Sequence, residues 1–176
     1  MTDEPNFRPY QLPDPAAHPG AIAARLMLDP IHAHLVENEI IIEYLMAAEG
    51  VFKAGKTVIG TTHVPTVQGR LKSLFEMLLT DFFEGMPDFL MTIDQVWWDE
   101  ASAIDRDALV WHELCHVQQE IDKNGELAFD RDGNPKYALR DHDVAAFNSE
   151  VERYGAWSSD LQSFIAAAEN NRLKQP

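Results

Sequence analysis

Cysteine is nearly missing from this chain. Cys115 stands alone among 176 residues, so no disulfide can form within the chain, and a reducing compartment is the natural expectation. Long apolar runs are missing too, and nothing approaches the roughly 20 residues that a membrane-spanning helix requires. The opening MTDEPNFRPYQLPDPAAHPG lacks the basic, apolar and small-residue succession of a secretory signal. These absences together point to the cytoplasm. Basic residues are scarce: 14 Lys and Arg face 29 Asp and Glu, a formal net charge of -15. That balance argues against nucleic acid or an anionic membrane as partner, because both are held by neutralising phosphates.

What is present suits one domain with a real core, since 45 % of the residues are hydrophobic. Pro5, Pro9, Pro13, Pro15 and Pro19 crowd the start, so residues 1–20 read as an extended arm ahead of a domain at 21–176. HLVENEIIIEYLMAAEG reads as a helix closed by Gly50, and TVIGTTHVP as a strand. Leu71, Leu74, Phe75, Leu78 and Leu79 recur at helical spacing. DFLMTIDQVWW reads as a second strand, and Ile104 to about Ile121 as a helix. ELAF and KYAL flank DRDGNP as a hairpin. That Asp-Gly stretch resembles the start of a calcium loop, but lacks the closing glutamate and reads as a turn. Two helices broken at Gly155 end the chain. The order specifies an α+β fold with a small sheet.

One constellation carries chemistry, the pentad His112-Glu113-Leu114-Cys115-His116. Histidines four apart on a helix share a side and can take one metal ion together. The glutamate between them is placed to take a proton from a zinc-bound water that attacks a carbonyl. Val110, Leu114, Val117 and Ile121 form an apolar stripe on the other side of the same helix, so the helix is expected to bury one face and offer its histidines on the other. Cys115 lies between the two faces and is assigned to packing. Trp97, Trp98 and Trp111 are assigned to the core rather than to a substrate cleft.

A catalytic zinc has three protein ligands and one open position. Beyond the pentad stand His18, His32, His34, His63 and His142. His142 follows the hairpin, which could fold it back, and Glu150 is the carboxylate rival. Residue spacing leaves both open. A di-iron bundle is excluded, because no second Glu-x-x-His pair exists.

DFLMTIDQVWW, RDALVWHELCHV and RDHDVAAFNSEVERYGAW together resemble the phage metallopeptidase family, a zincin-like group, over roughly residues 35 to 165. The order of strand, HExxH helix, hairpin and histidine-led helix also distantly resembles the SprT-like metalloproteases. There, a histidine followed by phenylalanine supplies the third ligand, as His142 and Phe147 would here. The resemblance implies a zincin-like domain, zinc on His112, His116 and His142, and Glu113 as general base. It implies a hydrolase acting on protein or peptide substrates, in the host cytoplasm if the gene is a phage's. The cysteine-rich module often attached to SprT-like proteins has no counterpart in a chain with one cysteine. The competing reading is a zinc-binding or interaction protein that keeps the fold without catalysis.

Overall fold

A computed structural model describes residues 8–48, 58–142 and 147–172. Its centre is a four-stranded sheet in the order β1 (Tyr10–Gln11), β2 (Ile42–Ala47), β4 (Phe89–Asp94), β3 (Gly60–His63). β2 and β4 run parallel, from Ile42 opposite Phe89 to Ala47 opposite Asp94. β3 runs antiparallel to β4 and forms the sheet edge. Helix α1 (Pro19–Leu26) lies against β2, and α5 (Ala103–Cys115) lies against both α1 and β3. The core between them holds Ala23, Leu26, Tyr44, Met46, Phe89, Met91, Ile93, Leu109, Trp111 and Leu114, all buried. Each large side chain taken fully from water there contributes roughly 1.5–3 kcal/mol. The remaining helices are α2 (Ala33–Glu37), α3 (Lys72–Phe83), α4 (Gln95–Glu100), α6 (Asn148–Tyr154) and α7 (Ser159–Arg172). The result is an α+β fold, as the order of sequence signals specified.

Several local readings change. The helix expected from His34 to Gly50 is a short α2 followed by strand β2. Asn38 caps α2 and Glu39 turns at positive φ, after which the chain enters the sheet at Ile42. Glu, Leu, Met and Ala favour a helix locally, but a place between β1 and β4 satisfies the backbone on both sides and buries Tyr44, Met46 and Ala47. Gly50 lies outside the described residues. The strand expected through Trp98 stops at Asp94, whose side chain accepts the Trp97 N–H at 2.8 Å and caps α4. Trp98 and Trp111 are core residues.

Within the proline-rich start, Tyr10 and Gln11 pair with Ala47 and Met46, so this stretch does join a sheet ladder. Pro19 opens α1 at a position where a missing N–H costs nothing, with His18 Nδ1 accepting from Gly20 N as the cap. Proline spacing excludes helix interiors, and neither of these elements needs one.

Helix α5 is shorter than its apolar stripe suggests. Ser102 caps it, accepting from Asp105 N and donating its hydroxyl to Asp105 Oδ2 at 2.7 Å. It ends at Cys115 with His116 as C-cap. β5 (Val117–Gln119) then pairs with β6 (Tyr137–Leu139), so Val117 is buried in a strand while Ile121 is exposed. Between these strands Phe129 bridges Pro135, and Asp130 Oδ1 accepts from the N–H groups of Asp132 and Asn134. The DRDGN segment is therefore a turn closed on its own carboxylate. No helix of the described residues is long and apolar enough to cross a membrane.

Candidate metal centre

The C-terminal turn of α5 and the return of the β5–β6 hairpin build the site. Burial of Leu109, Val110, Trp111, Leu114 and Cys115 fixes the helix roll and turns His112 and His116 toward a cleft. The hairpin is held to the helix end by Arg140 N–H donating to the His116 carbonyl at 2.7 Å, which delivers His142 to the same place. Ligand-capable nitrogens of His112, His116 and His142 lie within 4.8 Å of one another. Nε2 of His142 is 2.9 Å from Nε2 of His112. Tetrahedral zinc at about 2.0–2.1 Å from each nitrogen needs them roughly 3.3 Å apart; the His112–His142 pair is within a few tenths of an ångström of that spacing, and the three nitrogens together lie within 4.8 Å.

The chemistry of the donor set fits such an ion. His112 Nδ1 donates to Glu150 Oε2 at 2.7 Å, and His116 Nδ1 donates to the Arg140 carbonyl at 2.8 Å. Each ring thus carries its proton on Nδ1 and keeps the Nε2 lone pair for a ligand. Glu150 is almost fully buried, and its other oxygen accepts from Trp157 Nε1. Its carboxylate is committed to His112 and Trp157 and stands behind the histidine. Glu150, the carboxylate rival, thus stands outside the three-histidine cluster. Burial opposes a charge on His112, but the Glu150 hydrogen bond and the charges of Glu113 and Glu150 outweigh it and raise the pKa. Burial, aided by His112 and His142, pushes His116 down to about 4 despite its Arg140 carbonyl partner. A neutral imidazole is the form that binds a metal.

Glu113 is buried and points toward the sheet edge. Its Oε2 accepts from Thr62 Oγ1 at 2.8 Å. A Cβ on Gly60 would stand 3.1 Å from Glu113 Oε1 and 3.1 Å from Leu109 Cδ1, so β3 approaches the glutamate closely where it has no side chain. Burial raises the Glu113 pKa, with Glu150 adding to it and His112 and Thr62 opposing. Gly60 to His63, Glu113, the three histidines and Asp141 line a cleft of ≈ 410 Å³.

Of the other histidines, His63 lines this cleft, and His18, His32 and His34 lie away from it. His18 caps α1. His63 bonds Thr61 across the strand end at 2.6 Å, and His34 stacks on Tyr137. His32 is buried edge-on to Trp111. Tyr137 donates its hydroxyl to the His34 carbonyl at 2.9 Å and is occupied there. Cys115 is buried with its Sγ 3.6 Å from Ser149 Oγ, outside the histidine cluster. The helix expected to open at His142 begins at Asn148, with buried Phe147 as its cap and 143–146 outside the described residues. Thr62, Gly60, Glu150 and Trp157 were not singled out for these roles in the sequence, because each acts across a separation that no local pattern encodes.

A family model described as "Putative phage metallopeptidase" matches residues 18–169. No curated protein and no solved structure matches the chain.

Proposed function

The chain belongs to the phage metallopeptidase family, and from that premise we propose that it is a zinc-dependent peptidase with His112, His116 and His142 as ligands and Glu113 as general base. One observation carries this reading: three imidazole nitrogens converge while the far nitrogens of His112 and His116 are already tied to Glu150 and Arg140. A surface cluster of histidines has no reason to be oriented from behind.

Zinc bound there acts as a Lewis acid, making water acidic near neutral pH and polarising a peptide carbonyl. The chain's own groups do the rest. Glu150 holds the His112 ring and the Arg140 carbonyl holds the His116 ring, so neither has to reorient on binding. Glu113, made more basic by burial, takes a proton at its carboxylate as water attacks and delivers one to the leaving amine. The Thr62 hydroxyl fixes the rotamer of that carboxylate. β3 forms the cleft wall and the sheet edge, so an extended peptide paired to its outer side runs past the three histidines. Substrates are therefore unfolded or loop segments of proteins; the single cysteine suits a reducing, cytoplasmic setting, and the acidic chain disfavours nucleic acid as a partner.

The test pairs metal analysis with hydrolysis of a denatured protein in wild type and Glu113→Gln. Wild type should carry one zinc per chain and cleave, while the variant should carry zinc without cleaving. Zinc without cleavage in wild type, on a broad panel of denatured substrates, would leave the non-catalytic zinc protein as the better description.

A further inference from the structure

Helix α3 has no buried residue, although its sequence is as apolar as a core helix. Leu71, Leu74, Leu78 and Phe82 follow at i, i+3, i+7 and i+11, within an arc of about 80°. They remain 65 %, 48 %, 54 % and 52 % exposed. Phe75 and Leu79 are half-buried, whereas the main apolar face lies outward. A contiguous patch of this kind marks a contact surface.

The charges flanking the face say what fits it. Arg70, in the turn that leads into α3, and Asp81, in its last turn, are both exposed and stand at opposite ends of the helix. They are about 16 Å apart along the axis, beyond each other's reach in one copy. Neither has an ion-pair partner among the described residues. When two helices pack antiparallel, each end meets the opposite end of its mate. A two-fold axis at the level of Glu76 then sets Arg70 against Asp81 of the other copy, twice. The same axis sets Leu71 against Phe82, and Leu74 against Leu78. Apolar register and charge order close about one centre, which is the requirement for an isologous contact.

We propose that α3 is a homodimer interface in which two copies pack antiparallel through Leu71, Leu74, Leu78 and Phe82, with reciprocal Arg70–Asp81 pairs. The Leu74, Leu78 and Phe82 ridge has the i±4 spacing that interdigitates with its own kind. An interface made of one helix face lies at the low end of specific interfaces, and association is expected in the micromolar range. The inference is independent of the metal centre.

Sedimentation equilibrium of the full chain from about 1 to 100 µM, near 0.15 M salt, tests it. Wild type should move from the 19.9 kDa monomer to twice that mass. Leu78→Asp, at an exposed position, should weaken association at least tenfold, with an unchanged melting temperature when both proteins are compared as monomers. Arg70→Asp and Asp81→Arg should each weaken it about 3- to 30-fold, and the double reversal should restore it to within about twofold. A monomer throughout that range would overturn the proposal. So would a dimer indifferent to Leu78→Asp, or a charge reversal that the second reversal does not rescue. A monomer whose melting temperature falls on Leu78→Asp would overturn it as well, showing the face covered by the chain's own residues.

Discussion

Helices α3 and α5 are twelve and thirteen residues long, and both read as amphipathic. Seven residues of α5 are buried, whereas none of α3 is. Amphipathicity therefore states that a face must be covered and leaves open by what. For α5 the cover is the molecule's own sheet and α1, and the burial includes Glu113, so a carboxylate is packed along with the apolar residues. For α3 the apolar face looks outward, and its flanking charges are arranged for a second copy. The comparison is sharpened by substitutions made in parallel on the two helices.

The largest difference is expected in activity. Glu113→Gln should reduce peptide hydrolysis by about 10²- to 10⁴-fold while zinc stays bound, whereas Leu78→Asp on α3 should leave the turnover of each chain unchanged. Loss of zinc along with activity in Glu113→Gln would make Glu113 a ligand and break the assigned division of roles. Next comes stability. Leu114→Ala on α5 removes a fully buried side chain and should cost about 2–5 kcal/mol by denaturant unfolding. Leu78→Ala at about half exposure should stay within roughly 0.5 kcal/mol when measured on the monomer. Equal costs would erase the contrast between the helices.

Smaller effects probe what stands behind α5. Glu150→Gln keeps the shape but weakens the acceptor for His112 Nδ1, so zinc affinity should fall about 10- to 100-fold without being abolished. Competition with a chelator measures it, and an unchanged affinity would remove Glu150 from the site.

His32 packs on Trp111 of α5 with its Nε2 unpartnered among the described residues. Burial pushes its pKa down to about 4, with His34 and Arg153 lowering it further and Asp29 opposing. Between pH 6.5 and 4 the unfolded chain binds this proton and the folded chain does not. The stability from this residue is thus complete above pH 6.5 and is lost as pH falls toward 4. At pH 5.5 the loss is about 1.4 kcal/mol. His32→Phe should lose less stability than wild type between pH 7 and 5.5, by about 1 kcal/mol. Parallel losses in the two proteins would contradict the assignment.

How much was legible in the sequence follows from the range of each interaction. His112, Glu113 and His116 sit within five residues, and helical geometry alone groups them. The turn at Asp130 and the break at Gly155 are equally local. β2 was not legible, because Glu43, Leu45, Met46 and Ala47 favour a helix and only pairing with β4, more than 40 residues on, makes them a strand. The end of α5 was hidden for the same reason: Val117 and Ile121 continue its apolar stripe, yet Val117 pairs with Leu139. The partner of His112 lies 38 residues away, and that of Glu113 51 residues away. Spacing could nominate Glu150 as a carboxylate near the site, but only its hydrogen bonds to His112 and Trp157 distinguish an orienting group from a ligand.

The most direct test of the account is a zinc titration of metal-free protein against a competing chelator, run on wild type, His142→Ala and Glu150→Ala. Wild type should take up one zinc per chain. On the proposed assignment His142→Ala should lose far more affinity than Glu150→Ala, the first removing a ligand and the second a support. A His142→Ala protein that binds zinc as wild type does, beside a Glu150→Ala protein that does not, would replace the three-histidine site with a His, His, Glu one. Failure of wild type to take up zinc at all would contradict the metal centre itself.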